Sequence, residues 1–148
     1  MIKFSYCNRK NGELSNYRPS PLEYDGLTFP SAEAAYQAQK TLDKEDRKRF
    51  EEYDPKKAKK EGRKLVLRDD WDAVKYEIMV SIVYAKFTQN NELKEFLIST
   101  GDEELLEDTT RWHDNVWGSC NCEKCRDIPG QNLLGKALME VRDRLKSC

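Results

Sequence analysis

Apolar and polar positions run along this chain in three different rhythms, and each rhythm predicts an element. Ile2–Tyr6 alternates apolar with polar residues, the period of a short strand. Leu134, Leu138, Val141 and Leu145 recur at spacings of four, three and four, which predicts an amphipathic final helix over about Leu133–Ser147. Ile78–Ala85 is apolar nearly all round, inside a longer helical stretch that starts at Asp69 or Asp70 and runs to about Thr88. A helix that is apolar on every side belongs in the interior, so this one is expected to be central and buried.

Punctuation between these stretches supplies the rest. Asn11-Gly12 and Asp25-Gly26 are turn signals, and the second precedes a short strand at Leu27–Phe29. Two prolines exclude a regular helix from residues 15–22, which are expected to form a loop. Ser31, Asp43 and Asp54 are N-cap residues, and Pro55 after Asp54 suits the first helical position. Gly62 closes that helix. Asn91 opens a shorter helix that ends before Gly101, and Leu105–Glu107 reads as a short strand. Residues 109–132, with Gly118, Pro129 and Gly130, form a long irregular segment of the kind that is usually functional or mobile. The expected fold is α+β, one predominantly helical domain over residues 1–148 with a few short strands.

Composition narrows the class. The chain has 148 residues, enough for one domain with a real core. It is 38% hydrophobic and 36% charged, but the apolar residues are clustered, so the chain folds rather than staying disordered. The net charge of -1 gives no bulk attraction for nucleic acid. Locally, residues 56–68 carry seven Lys and Arg against the single acid Glu61, a patch suited to phosphate. Residues 102–127 lean acidic, with eight Asp and Glu against three Lys and Arg. No run of about eighteen apolar residues predicts a membrane span, and the N-terminus lacks the apolar core of a signal peptide. The expected location is the cytoplasm, with no membrane partner.

The candidate chemistry begins at Ser31–Lys40. Read as one helix, it stacks Glu33, Gln37 and Lys40 on one face at spacings of four and three. A carboxylate beside an amine among alanines is an acid/base or nucleophile pair. The bland reading is a surface ion-pair face. Lys86 follows four residues after Ile82 and three after Val83, so its amine must snorkel out, pair with an acid or face a cavity; snorkelling is the plain expectation. A desolvated lysine becomes a neutral nucleophile able to form a Schiff base. A third cluster joins Thr100-Gly101-Asp102, Glu107, Asp114 and Trp117-Gly118, where an indole beside a glycine offers a face for a heteroaromatic ring. Trp71 is either a second such face or core packing. Asn132 stands where the last helix begins and its free N–H groups face anions.

Five cysteines is an odd number, and three sit in Cys120-Asn-Cys122-Glu-Lys-Cys125, a density that in a cytosolic setting suggests free thiols or metal rather than a disulfide framework. Cys120, Cys122 and Cys125 with His113, the single histidine, make an alternative set of soft metal ligands; the bland reading is three solvent-facing thiols, and no metal is assigned. Gly-rich phosphate loops are absent, and the lone histidine lies near no nucleophile elbow.

In order along the chain, Leu14-Ser15-Asn16-Tyr17, Asp25-Gly26, Phe29-Pro30, Ser31-x-Glu33-x-x-Tyr36-Gln37-Ala38-x-Lys40, Gly62-Arg63, Trp71, Ala85-Lys86-Phe87, Thr100-Gly101-Asp102, Asp114, Trp117-Gly118, Gly130-x-Asn132-x-Leu134-Gly135 and Arg142 closely resemble the NADAR (NAD- and ADP-ribose-associated) family of YbiA-like N-glycosidases. The match covers nearly the whole chain; the Cys120–Cys125 insert departs from the Gly-rich loop of other members. The resemblance implies hydrolysis of a ribosyl N-glycosidic bond without a cofactor. It implies catalytic positions at Glu33, Trp71, Asp114 and Trp117, with a Schiff-base lysine at Lys40 first and Lys86 second. On this reading Glu33 shuttles protons, and Asp114 or Glu107 orients the ribose hydroxyls or water. Trp117 stacks the base, joined by Trp71, and Lys59 and Arg63 hold phosphates. Asn16, Tyr36, Gln37, Gly118 and Asn132 complete the substrate-binding set. The implied substrate is ADP-ribose on guanine, free or in DNA or RNA. The alternatives are phosphorylated riboflavin-pathway intermediates and a non-catalytic module binding ADP-ribose or NAD derivatives. No obligate protein partner is implied.

Overall fold

The structure, a computed structural model, describes residues 1–6 and 10–147. Among these residues it holds six α-helices and four strands of three residues each, the α+β, mainly helical class expected. By its internal contacts the chain divides into two compact units, Asn16–Asn91 and a second made of Met1–Ser15 with Glu92–Cys148.

The Asn16–Asn91 unit opens with a hairpin. Strands β2 (Leu22–Tyr24) and β3 (Leu27–Phe29) pair antiparallel, Leu22 opposite Phe29. Asp25 and Gly26 join them with φ of 51° and 77°, the left-handed pair that a two-residue hairpin loop requires. Residues 15–22 are therefore not all loop: Leu22 already belongs to a strand, too short for the sequence pattern to show. The exposed edge of β2 is closed by the Gln89 amide, which accepts from Glu23 N–H at 2.7 Å and donates to its carbonyl at 2.8 Å.

Helix α1 (Ala32–Ala38) follows, with the Ser31 hydroxyl accepting from Ala34 N–H at 3.2 Å. Every residue of α1 is buried, because four alanines let its neighbours approach from all sides. It packs against α2 (Lys44–Arg49), α3 (Pro55–Gly62) and α4 (Trp71–Gln89). Asp43 and Asp54 cap α2 and α3 as their sequence positions imply. Asp70 stands at the N-cap of α4 but makes no capping bond; its carboxylate grips Arg68 instead, at 2.6 and 3.0 Å. α4 is not buried all round, since Ser81 and Tyr84 are exposed while Met79, Val80, Ile82, Val83, Lys86 and Phe87 face inward.

In the other unit, β1 (Ile2–Phe4) pairs in parallel with β4 (Leu105–Glu107), Ile2 opposite Leu105. Helix α5 (Asn91–Ser99) precedes β4, and α6 (Leu133–Lys146) packs on it. Leu134, Leu138, Val141 and Leu145, the predicted stripe, are all buried. Arg142 on the same helix is buried too, and donates to Thr100 Oγ1 at 2.9 Å and the Glu103 carbonyl at 2.8 Å. Lys146 reaches the Gly101 carbonyl and Asp102. The Thr100-Gly101-Asp102 block thus ties the end of α5 to α6. Among the described residues, no helix is long and apolar enough to cross a membrane.

Candidate active site

Glu33 lies in the first turn of α1 and is buried. Its Oε1 accepts from Gln37 Nε2 at 2.8 Å, one turn on. An ionised carboxylate in such a place is costly unless hydrogen-bonded and near a cation. The cation is Lys40, which does not share the helix: α1 ends at Ala38, and Lys40 sits in the tight turn that follows, its N–H on the Gln37 carbonyl at 3.2 Å. The predicted Ser31–Lys40 helix is therefore two residues too long. The turn still delivers the amine into the charge field of Glu33.

Four influences act on Lys40. Burial lowers the proton affinity of its amine most; the Glu33 carboxylate raises it; Arg63 and Lys59 lower it again, and the net shift is downward from 10.5. Lys59 and Arg63 come from α3 and the residue after it, so the α1–α3 packing builds the cluster of one acid and three cations. That packing is close. A Cβ on Gly62 would stand 2.0 Å from Gln37 Oε1, so only glycine lets α3 approach here.

Among the described residues, two buried acceptors near this cluster meet no donor, Asn16 Oδ1 and Gln37 Oε1. Asn16 Nδ2 points to Met79 Sδ at 3.3 Å, and the Asn16 carbonyl accepts from Glu33 N–H at 3.1 Å. Gln37 Oε1 is covered by Gly62 of α3, and the orphan acceptor of Asn16 suits the hydroxyl of a sugar. Lys59 Nζ also stands 6.0 Å from the centre of the Tyr17 ring. Tyr17 is an aromatic beside the predicted Asn16 that the residue reading did not single out; its place in the Leu14–Tyr17 block was the available signal.

Tyr36 and Trp71 are both buried, with ring centres 5.2 Å apart and planes tilted by 52°. For Trp71 this is the core-packing reading. Lys86 does not snorkel: its side chain is 1% exposed, and Nζ lies 5.0 Å from the Phe87 ring centre. It stands on the face that Ile82 and Val83 turn inward, and the cover over that face comes from the tertiary fold. An open groove of about 520 Å³ in this unit is lined by Asp25, Arg47, Arg68, Glu77 and neighbours, but by none of the predicted site residues.

The remaining predicted residues gather in the other unit, where β4 meets the segment before α6. Asp114 Oδ1 accepts from Val116 N–H at 2.8 Å and Trp117 N–H at 2.9 Å, a side-chain turn that sets the Trp117 backbone. Gly118 is buried, and its carbonyl accepts from Asn132 N–H at 3.2 Å. Asn132, at φ 50°, donates to the Leu105 carbonyl at 2.8 Å and accepts from Glu107 N–H at 3.0 Å. Its amide thus extends the β4 ladder. The first two N–H groups of α6 are also taken, by the Val116 and Trp117 carbonyls. Helix-end donors expected to face an anion are engaged within the protein.

His113 and the three cysteines also converge here, and Cys120 and Cys125 are buried rather than solvent-facing.

Comparison with known proteins agrees with the motif order. The NADAR domain family matches residues 3–146. N-glycosidase YbiA of Escherichia coli (strain K12) is 35% identical over 148 residues, spanning 98% of this chain and 88% of that one. An N-glycosidase of Nostoc punctiforme is 34% identical over 142 residues, 92% of this chain and 86% of its own. A riboflavin biosynthesis protein of Vibrio vulnificus is 35% identical over 98% of this chain but only 38% of its own length. The NMR structure of E. coli YbiA superposes with a TM-score of 0.84 at 34% identity, covering 99% of this chain and 84% of that one. The chain belongs to the NADAR family and is an N-glycosidase.

Proposed function

We propose that this N-glycosidase removes ADP-ribose from ADP-ribosylated guanine by attack of the Lys40 amine on ribose C1′. The observation that carries this reading is a desolvated Lys40 whose proton affinity is lowered beside a buried acid and two further cations. A lysine held this way has a larger neutral fraction near pH 7 than an exposed one, and only the neutral amine is nucleophilic.

The reaction balances as follows. Lys40 Nζ bonds to C1′ while the bond from C1′ to the guanine nitrogen breaks, its electron pair leaving with the base. Glu33 takes one proton from the attacking nitrogen and passes it to the base. The C1′–O4′ bond then opens as a C=N double bond forms, and the last nitrogen-bound proton passes to O4′. Water adds to C1′, the lysine departs as a free amine, and the sugar recloses. One water is consumed; guanine and ADP-ribose are released. Asn16 Oδ1 accepts from a ribose hydroxyl, and Lys59 and Arg63 hold the phosphates.

Borohydride added during turnover reduces the imine and leaves a ribose-derived mass on the protein. The expected adduct is present in the wild type and absent in Lys40→Ala. An adduct that persists in Lys40→Ala and vanishes in Lys86→Ala moves the nucleophile to Lys86. Turnover with no adduct in any variant replaces the lysine with direct attack by water.

A second substrate, a phosphorylated intermediate of riboflavin synthesis, is favoured by the name of the Vibrio vulnificus relative. It offers the same ribosyl carbon and a phosphate for the same two cations. Parallel hydrolysis of ADP-ribosyl guanosine, ADP-ribosylated DNA and a phosphorylated aminopyrimidine riboside separates the two. Faster release from the aminopyrimidine riboside overturns the guanine reading.

A further inference from the structure

We propose that His113, Cys120, Cys122 and Cys125 hold one zinc ion, in a closed four-ligand site that braces the segment between β4 and α6. The ligand atoms of these four side chains all lie within 4.8 Å of one another. His113 Nδ1 stands 3.2, 3.3 and 3.8 Å from the sulfurs of Cys120, Cys122 and Cys125. Around a tetrahedral zinc with bonds of about 2.3 Å to sulfur and about 2.0 Å to nitrogen, neighbouring ligand atoms fall about 3.5–3.8 Å apart. The imidazole nitrogen already stands at about such distances from the three sulfurs, and the set as a whole spans no more than 4.8 Å, so side-chain rotations suffice to complete the figure. A cluster of two irons with bridging sulfides spreads its four ligands further than this.

The donor set fixes the metal class. Three thiol sulfurs and one imidazole nitrogen, with no carboxylate among them, suit zinc and not magnesium or calcium. Four protein ligands leave no open position, so the ion is structural and takes no part in bond cleavage. The cysteines are free thiols and not a disulfide.

The backbone is arranged for the same end. His113 has a φ of 60°, in the left-handed region that a histidine enters at a cost. That conformation is held by His113 N–H on the Thr109 carbonyl at 2.8 Å. Cys120 N–H is fixed by Asn115 Oδ1 at 2.9 Å, and Cys122 N–H points to the Cys120 sulfur at 3.5 Å, the kind of donor that stabilises a bound thiolate. Buried Cys120 and Cys125 stand among residues 121–129 that are otherwise exposed or half-exposed, so this stretch has little apolar burial of its own to order it. A metal crosslink supplies what a core does not. His113 and Cys120 bracket Asp114 and Trp117, so the ion stiffens the turn that sets them.

The test reads metal and not activity, and so stands apart from the glycosidase reading. The full chain, purified reduced and without chelator, is expected to carry about one zinc per chain by elemental analysis. Cobalt replacing zinc is expected to give the intense visible bands of a tetrahedral thiolate site. Cys122→Ser is expected to lose the metal, whereas Cys7→Ser with Cys148→Ser keeps it. If Cys122→Ser does not fold, the wild-type cobalt spectrum decides alone. Wild-type protein without zinc, stoichiometric iron in its place, weak octahedral cobalt bands, or full zinc in folded Cys122→Ser each overturns the proposal.

Discussion

Lys40 shows how much a single side chain's surroundings can change its chemistry. Burial and the two cations outweigh Glu33, so the folded amine gives up its proton below the ordinary 10.5. The sign of the linkage follows. Between the folded and unfolded values the unfolded chain binds more protons, so stability rises with pH through that window, and below it the charged amine carries a constant cost. Competitive acylation followed by peptide mass spectrometry is expected to give Lys40 an apparent pKa below 10.5; a value at or above it contradicts the environment described. Glu33→Gln keeps the size of the side chain and removes the carboxylate. A loss of about 10²–10⁴ in kcat is expected if Glu33 moves the proton, with little change in melting temperature. Neither property was legible at this scale. Sequence spacing put Lys40 on a helix that stops short of it, and it let Lys86 reach water because nothing in a local pattern reveals what will be laid over Ile82 and Val83.

Whole elements are more legible in the sequence than single side chains, for a physical reason. Ser31, Asp43 and Asp54-Pro55 act within one turn of themselves, and the stripe of α6 is a local period, so both are written in contiguous residues. Strand β2 was missed because three residues carry too little alternation. The β1–β4 pair joins segments about a hundred residues apart, a partnership no window of sequence contains. Gly62→Ala tests the closest approach of two elements. The added methyl meets Gln37 Oε1 at 2.0 Å and can enter only by dislodging Gln37 from Glu33. A loss of about 1–3 kcal/mol is expected in urea unfolding, with activity reduced alongside. Asn132→Ala leaves the Leu105 carbonyl and the Glu107 N–H without their side-chain partners. It also places a Cβ-bearing residue without a local hydrogen bond at φ 50°. Its expected cost is about 2–4 kcal/mol, read the same way.

Across the whole molecule the net charge is only -1, so attraction for an anionic substrate comes from the local basic run and not from the overall field. The KM for a phosphorylated substrate is expected to rise with ionic strength, since added salt shortens the distance over which exposed charges attract, to about 8–10 Å at 0.1–0.15 M. Lys59→Ala with Arg63→Ala is expected to raise KM at low salt and flatten that dependence; an unchanged slope removes these two residues from phosphate binding.

The three tryptophans are divided between the units: Trp71 alone lies in Asn16–Asn91, packed on Tyr36, while Trp112 and Trp117 lie in the other, Trp112 with its ring 5.0 Å from that of Tyr6. Each unit therefore carries its own optical reporter. Emission from Trp71→Phe follows the unit of Met1–Ser15 and Glu92–Cys148 alone, and emission from Trp112→Phe with Trp117→Phe follows Asn16–Asn91 alone, so one denaturant titration of each reveals whether the two units melt together.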